Sequence, residues 1–180
     1  MPVDFSTIET YAKLTDTQIQ TREICDKWLL LTYDLPHNEK GDAARRRFLV
    51  KAHEVGAVQH TASVYLMPWT PAAETLALEL ARVELGKVCV WSSQTTDKTK
   101  AEEITKNYDK GLAPVLYEIG DRLDKIAGHL EANRLKRAMK MMEKTAKMLA
   151  AIRQAIIARG SAQLYILLTL IERRAEQLKV

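Results

Sequence analysis

Apolar and polar positions change rhythm once along the chain, near residue 96. Before that point the apolar runs are short and punctuated. Trp28-Leu29-Leu30-Leu31-Thr32-Tyr33-Asp34-Leu35-Pro36 is a continuous run closed by proline, the pattern of a buried strand. A polar loop, 37–41, follows. Asp42 stands where it could cap a helix running through Val55. Phe48, Ala52 and Val55 recur by fours and threes and share one face, which turns Arg45, Arg46 and Lys51 largely to solvent. Gly56 sits where such a helix would close. From Ala57 to Pro68 the alternation predicts β structure. Val58, His60, Ala62, Val64 and Leu66 take one face; Ala57, Gln59, Thr61, Ser63, Tyr65 and Met67 take the other. One bent strand fits this stretch, and so do two short strands joined near Thr61-Ala62. Thr70 and Pro71 then open a helix to about Leu85, with Leu76, Leu80, Val83 and Leu78 as its inward candidates. Gly86 would end it. The segment 87–92 predicts a last strand. Residues 1–26 read as a weakly helical lead-in, with Asp16 capping a turn that holds Ile19, Arg22 and Ile24.

Beyond Thr96 the period becomes helical. Ile104, Tyr108, Leu112, Val115, Ile119, Leu123, Ile126 and Leu130 form one stripe, with Pro114 predicting a kink within it. Glu131-Ala132-Asn133 suits a reversal. Leu135, Met139, Met142, Ala146, Leu149, Ile152 and Ile156 make a second stripe. Arg159-Gly160-Ser161 is a second break, and Leu164, Leu167, Ile171, Ala175 and Leu178 make a third stripe. The whole pattern predicts an α+β chain. A helical lead-in spans 1–27 and a ferredoxin-like split βαβ domain spans 28–96. A three-helix C-terminal extension, an antiparallel bundle or arm, spans 97–180.

Length and composition agree with this. A chain of 180 residues with 47% apolar positions can bury roughly 70% of its unfolded surface, so a disordered chain is excluded. No window predicts a membrane span and the start shows no secretory signal. Two cysteines, Cys25 and Cys89, are too few for a disulfide scaffold, so a reducing cytoplasm is the expected compartment. Cys89, in a strand, reads as an inert small hydrophobe.

Charge is more telling. The net charge is +4, from 27 basic and 23 acidic residues. Residues 1–96 carry 10 basic and 12 acidic side chains, whereas 97–180 carry 17 and 11. Between 134 and 159 stand Arg134, Lys136, Arg137, Lys140, Lys144, Lys147, Arg153 and Arg159 against the single acid Glu143. A helix with that balance suits a polyanion, although a solvated face would look the same. Arg45, Arg46, Arg47 and Lys51 form a second cluster that could meet phosphates.

Several stretches in 28–68 resemble two related families. Trp28-Leu29-Leu30-Leu31, Val55-Gly56-Ala57-Val58 and Ser63-Val64-Tyr65-Leu66-Met67-Pro68 look like the amino-terminal domain of ChrB, the chromate-resistance regulator. The Tyr33-Asp34 strand end, the Arg-rich helix and the Ser63-Val64-Tyr65 strand also resemble the second CRISPR-associated protein, the small dimeric subunit of the spacer-integration complex. The resemblance covers about 28–96 and extends to the layout of the helical tail. It implies a homodimer built on the small sheet. It also implies that Asp34 could face its symmetry mate and hold magnesium, which keeps most of its waters when bound by two carboxylates. Such a metal could activate water for phosphodiester cleavage.

Other candidate chemistry is thinner. Asp34 before Leu35-Pro36 is equally an ordinary turn aspartate. Ser63 has no base or oxyanion donor beside it in sequence. His37, His53, His60 and His129 lack metal-ligand spacing. Met139, Met141, Met142 and Met148 could suggest a soft-metal site, but the helical spacing of Met139 and Met142 points to core packing. The expected function is therefore a dimeric, non-catalytic nucleic-acid-binding or assembly module. Its cationic residues would be Arg45, Arg46, Arg47, Lys51, Arg134, Lys136, Arg137, Lys140, Lys144 and Lys147. The partners would be DNA or RNA, a second copy, and possible membership of a larger protein complex, with no membrane. The expected cofactor is none, or magnesium at Asp34. The alternatives are a magnesium-dependent nuclease and a ChrB-type regulator that binds an oxyanion through Arg45, Arg46 or Arg47.

Overall fold

The computed structural model describes residues 25–35, 39–83 and 88–178. The lead-in helix expected before Cys25, the 36–38 loop and the closure at Gly86 lie outside the described residues.

Four strands and five helices occur among the described residues: β1 (Lys27–Tyr33), α1 (Glu39–Glu54), β2 (Val58–Thr61), β3 (Val64–Pro68), α2 (Pro71–Val83), β4 (Val88–Gln94), α3 (Lys98–Glu131), α4 (Leu135–Arg159) and α5 (Ala162–Gln177). The strands form one sheet in the order β2-β3-β1-β4. Every neighbouring pair is antiparallel, with Leu30 opposite Leu66 on one side and Trp91 on the other. The fold is therefore mixed α+β, and most of it is helix.

β1 lies inside the sheet because it is apolar on both faces, as a fully covered strand must be. Leu29 and Leu31 are completely buried on the face shared with Tyr65 and Met67. Helices α1 and α2 close that face through Phe48, Ala52, Ala73, Ala77 and Leu80. The Phe48 ring meets Tyr65 edge-on, with centroids 5.2 Å apart. Each such aromatic, fully removed from water, contributes about 1.5–3 kcal/mol. Trp28, on the alternate face, meets Tyr108 of α3 edge-on at 5.2 Å. It joins Val58, Leu66 and the inner faces of α3, α4 and α5 in a second core. The sheet is thus a middle layer, with α1 and α2 on one side and the long helices on the other.

The β segment after Gly56 resolves into two strands, turning at Ala62-Ser63 with a register shift between Gln59 and Thr61. Gly56 takes the left-handed φ of +81° that closes α1. Helix α1 begins at Glu39, so Asp42 lies inside it rather than capping it. The Asp42 carboxylate pairs instead with Arg45. The Thr70 cap holds: Thr70 Oγ1 accepts from the Ala73 amide at 2.9 Å. In α2, Leu80 is buried while Leu78 is exposed, against the inward role expected of it. Ala73 and Ala77 take the inward positions, because small residues let the helix approach the sheet closely.

Helix α3 continues through Pro114 as one element, and the first predicted stripe is its buried face from Tyr108 to Ile126. Asp97 caps it, accepting from the Lys100 amide at 3.1 Å. The two reversals fall where the breaks predict, at Asn133 (φ +53°) and Gly160 (φ +68°). The second stripe is correct only in its latter half. Leu149, Ile152 and Ile156 are buried, but the inward positions before them are Ala138, Thr145 and Met148. Leu135, Met139 and Ala146 are exposed, and Met139 is not a core residue.

Candidate nucleic-acid interface

The first half of α4 and its cap carry Arg134, Lys136, Arg137, Lys140, Lys144 and Lys147 against the single acid Glu143. Lys136, Lys140, Lys144 and Lys147 recur at intervals of four, four and three, so they share one side of the helix. All four are exposed, as are Arg134 and Arg137. At 1.5 Å per residue the lysine row is about 16 Å long, with neighbours about 6 Å apart along the axis. Phosphates on one strand of a duplex recur every ~3.4 Å, so successive lysines can reach separate phosphates.

The start of α4 runs against ordinary helix design. Its first turn holds no acidic residue, and Arg134 at the N-cap makes no capping hydrogen bond through its side chain. A helix N-terminus is already the positive end of the macrodipole, where acids stabilise and cations cost. Arg134, Lys136 and Arg137 add cations to that end, and free backbone N–H groups there also attract anions. The field is felt nearby. The pKa of His129 lies below its ordinary value through burial and the charges of Arg134 and Arg137. Glu143 is compensated by Lys147, 2.7 Å away, which lowers its pKa through a hydrogen bond and charge.

Two residues of the same basic stretch do other work. Arg159 is 5% exposed and holds Asp109 of α3 with two hydrogen bonds, Nε to Oδ1 at 3.0 Å and a terminal nitrogen to Oδ2 at 2.9 Å. Burial still raises the Asp109 pKa, with Arg159 opposing. Arg153 reaches Glu172 of α5 at 2.7 Å. These arginines tie the long helices together.

The second cluster lies on α1. Arg46 and Arg47 are exposed; Arg45 and Lys51 are partly covered. Arg45 is engaged by Asp42, and Arg46 Nε donates to the Asp42 carbonyl at 3.5 Å. Helices α1 and α4 touch. A Cβ placed on Gly56, just after α1, would stand 3.0 Å from Ala155 Cβ of α4. Both clusters therefore sit on helices in mutual contact. Tyr108 Oη donates to the Gly56 carbonyl at 2.8 Å and fixes this junction.

Asp34 is exposed, one residue past β1. The preceding amide, Tyr33 N, donates to Ser63 O at the β2–β3 turn. The α1–α4 junction lies at the opposite end of the sheet, where β2 starts and β3 finishes. Asp34 therefore lies at the β2–β3 turn end of the sheet, away from Gly56. Among the described residues no group of three His, Cys, Asp or Glu side chains is placed to hold a metal ion. Ser63 is exposed in the turn. Cys89 is exposed on the edge strand β4 rather than packed in a core.

The sequence pattern misses one surface feature of β4. Trp91 is 58% exposed on the face shared with Trp28 and Leu30, and its indole N–H donates to Thr32 Oγ1 at 3.2 Å. No helix among the described residues is long and apolar enough to cross a membrane. Comparison with known proteins returns no matching family model and no matching curated protein.

Proposed function

We propose that this chain is a non-catalytic nucleic-acid-binding or assembly module that grips phosphates through α4. The observation that carries the reading is the exposed row Lys136, Lys140, Lys144 and Lys147 behind an N-terminus that lacks any acid. Cations there cost helix stability, and a bound polyanion returns that cost. Arg134, Arg137 and the α1 cluster of Arg45, Arg46, Arg47 and Lys51 extend the surface. Contacts of this kind position a duplex without reading its sequence.

The order β2-β3-β1-β4, with two interleaved βαβ units, supports reading the sheet as ferredoxin-like. It is compatible with the ChrB-type and CRISPR-subunit resemblance of residues 28–96. Part of the sheet face is covered by α3, α4 and α5. In this reading a homodimer therefore forms at the β4 edge, where Trp91 is exposed, rather than through that covered part.

The test is binding of labelled 30-base-pair DNA and RNA duplexes across a salt series. Magnesium present and absent, with Asp34→Ala alongside, separates binding from cleavage. The reading expects steeply salt-dependent binding and intact duplexes. Cleavage that needs magnesium and disappears in Asp34→Ala would replace it with the nuclease reading.

A further inference from the structure

The far end of the long helices carries a groove unrelated to the sheet. Its volume is about 380 Å³, and its walls are mostly apolar, from Ile126 and Leu130 of α3, Leu135, Met139 and Met142 of α4, and Leu178 after α5, with Glu143 also lining it. The outer lip is exposed: Met139 is 71% and Leu135 50% accessible. Large apolar side chains left in water at the edge of an apolar groove mark an interaction surface. Two of the wall residues are methionines, whose flexible, polarisable side chains adapt to different partner shapes. From Leu135 to Met142 the groove follows two turns of α4, about 10 Å. That length admits one face of a short helix.

Charge selects the occupant. Arg134, Lys136, Arg137 and Lys140 stand on or beside the same two turns as the lip, against Glu131 at the end of α3 and Glu143, which lines the groove and is held by Lys147. A symmetric contact between two copies would bring both sets of these cations to one interface, and like charges across an interface oppose association. We infer that the groove receives an amphipathic helix of a protein partner, with apolar side chains at i, i+3 or i+4, and i+7, flanked by carboxylates. The inference draws on cations that the nucleic-acid reading also uses, Arg134, Lys136, Arg137 and Lys140, and differs from it in resting on the apolar groove, which the lysine–phosphate contacts do not need.

The test uses the full chain and a fluorescein-labelled 18-residue helical peptide, with leucines at those positions and glutamates elsewhere. A second peptide carries lysine in place of each glutamate. Leu135→Gln and Met139→Gln, combined, remove the apolar lip without adding charge at residues whose exposure spares the fold; circular dichroism checks this. Fluorescence anisotropy should show the glutamate peptide binding at least about tenfold more tightly than the lysine peptide. The double variant should weaken the glutamate peptide by a similar factor, which corresponds to about 1.4 kcal/mol. Duplex DNA binding should be unchanged in that variant. Equal affinity for both peptides, no binding, or no effect of the double variant would overturn the inference. So would a dimer, seen by sedimentation, that dissociates in the double variant, since the occupant would then be a second copy. Loss of duplex binding in that variant would assign the lip to nucleic acid instead.

Discussion

Arg159 and Lys147 belong to one basic stretch, yet one side chain is buried and the other exposed. Nothing in the local spacing separates them. The difference is made by Asp109, fifty residues away, and such pairings are invisible in a linear pattern. Asp109→Ala would remove the carboxylate that accepts two hydrogen bonds from the covered Arg159 guanidinium. Breaking a buried pair costs about 3–5 kcal/mol; the Asp109 side chain is 28% exposed, so a loss of about 2–3 kcal/mol in urea unfolding is expected. Asp121→Ala, at an exposed site, should change little. Two glycines of α3 make a sharper contrast. A Cβ at Gly111 would overlap Val58 Cγ1, while one at Gly120 meets nothing within 4 Å. Gly120→Ala should stabilise the helix by up to about 1 kcal/mol. Gly111→Ala should destabilise by about 1–3 kcal/mol, because a crowded core resists extra volume. Denaturant midpoints of the two variants check both signs. His53 gives a pH prediction. Burial lowers its pKa below 6.5, with Glu118 partly opposing. The unfolded chain therefore takes up this proton first on acidification. The stability from a neutral His53 is complete above its unfolded-state pKa and is lost as pH falls through the folded one. Tm should fall between about pH 7 and pH 5, and less so in His53→Gln.

At the scale of elements, legibility follows burial. β1 is apolar on both faces and sits inside the sheet. The stripe of α3 is nearly continuous and packs along its length. Gly56, Asn133 and Gly160 stop helices where left-handed backbone is needed. The start of α4 defeats periodicity, because its apolar residues outnumber the positions that face the core. Ala138 takes the inward place, since a small side chain permits close approach, and the larger Leu135 and Met139 are left on the lip. The Trp91 surface of β4 is hidden in sequence for a related reason. Whether an edge strand is covered depends on what packs over it. The unusual N-terminus of α4 makes its own prediction. Arg134→Asp supplies a capping acid at the positive end of the helix and should stabilise the protein by about 0.5–2 kcal/mol. The same change should weaken duplex binding. Thermal unfolding and anisotropy on one preparation test the opposed directions, and a variant that loses both stability and affinity would contradict this account of the α4 terminus.

For the whole molecule, the sheet is the middle layer, with α1 and α2 on one side and α3, α4 and α5 on the other. The α4–Gly56 junction lies at one end of the sheet and Asp34 at the other. Lysine content and its periodicity are readable from sequence, and so the cationic row is legible there. The placing of Asp34 beside the β2–β3 turn is a property of the antiparallel register and is not. The central claim is that the lysine row meets phosphates. The measurement that tests it most directly is the salt dependence of 30-base-pair duplex binding, for the native chain and for Lys136, Lys140, Lys144 and Lys147 all changed to alanine. Each lysine–phosphate contact contributes about 0.9 to the slope of log K against log salt. The account predicts binding at low salt whose slope is reduced by about 3–4 in the variant. An unchanged slope, or a native chain that does not bind at low salt, would contradict it.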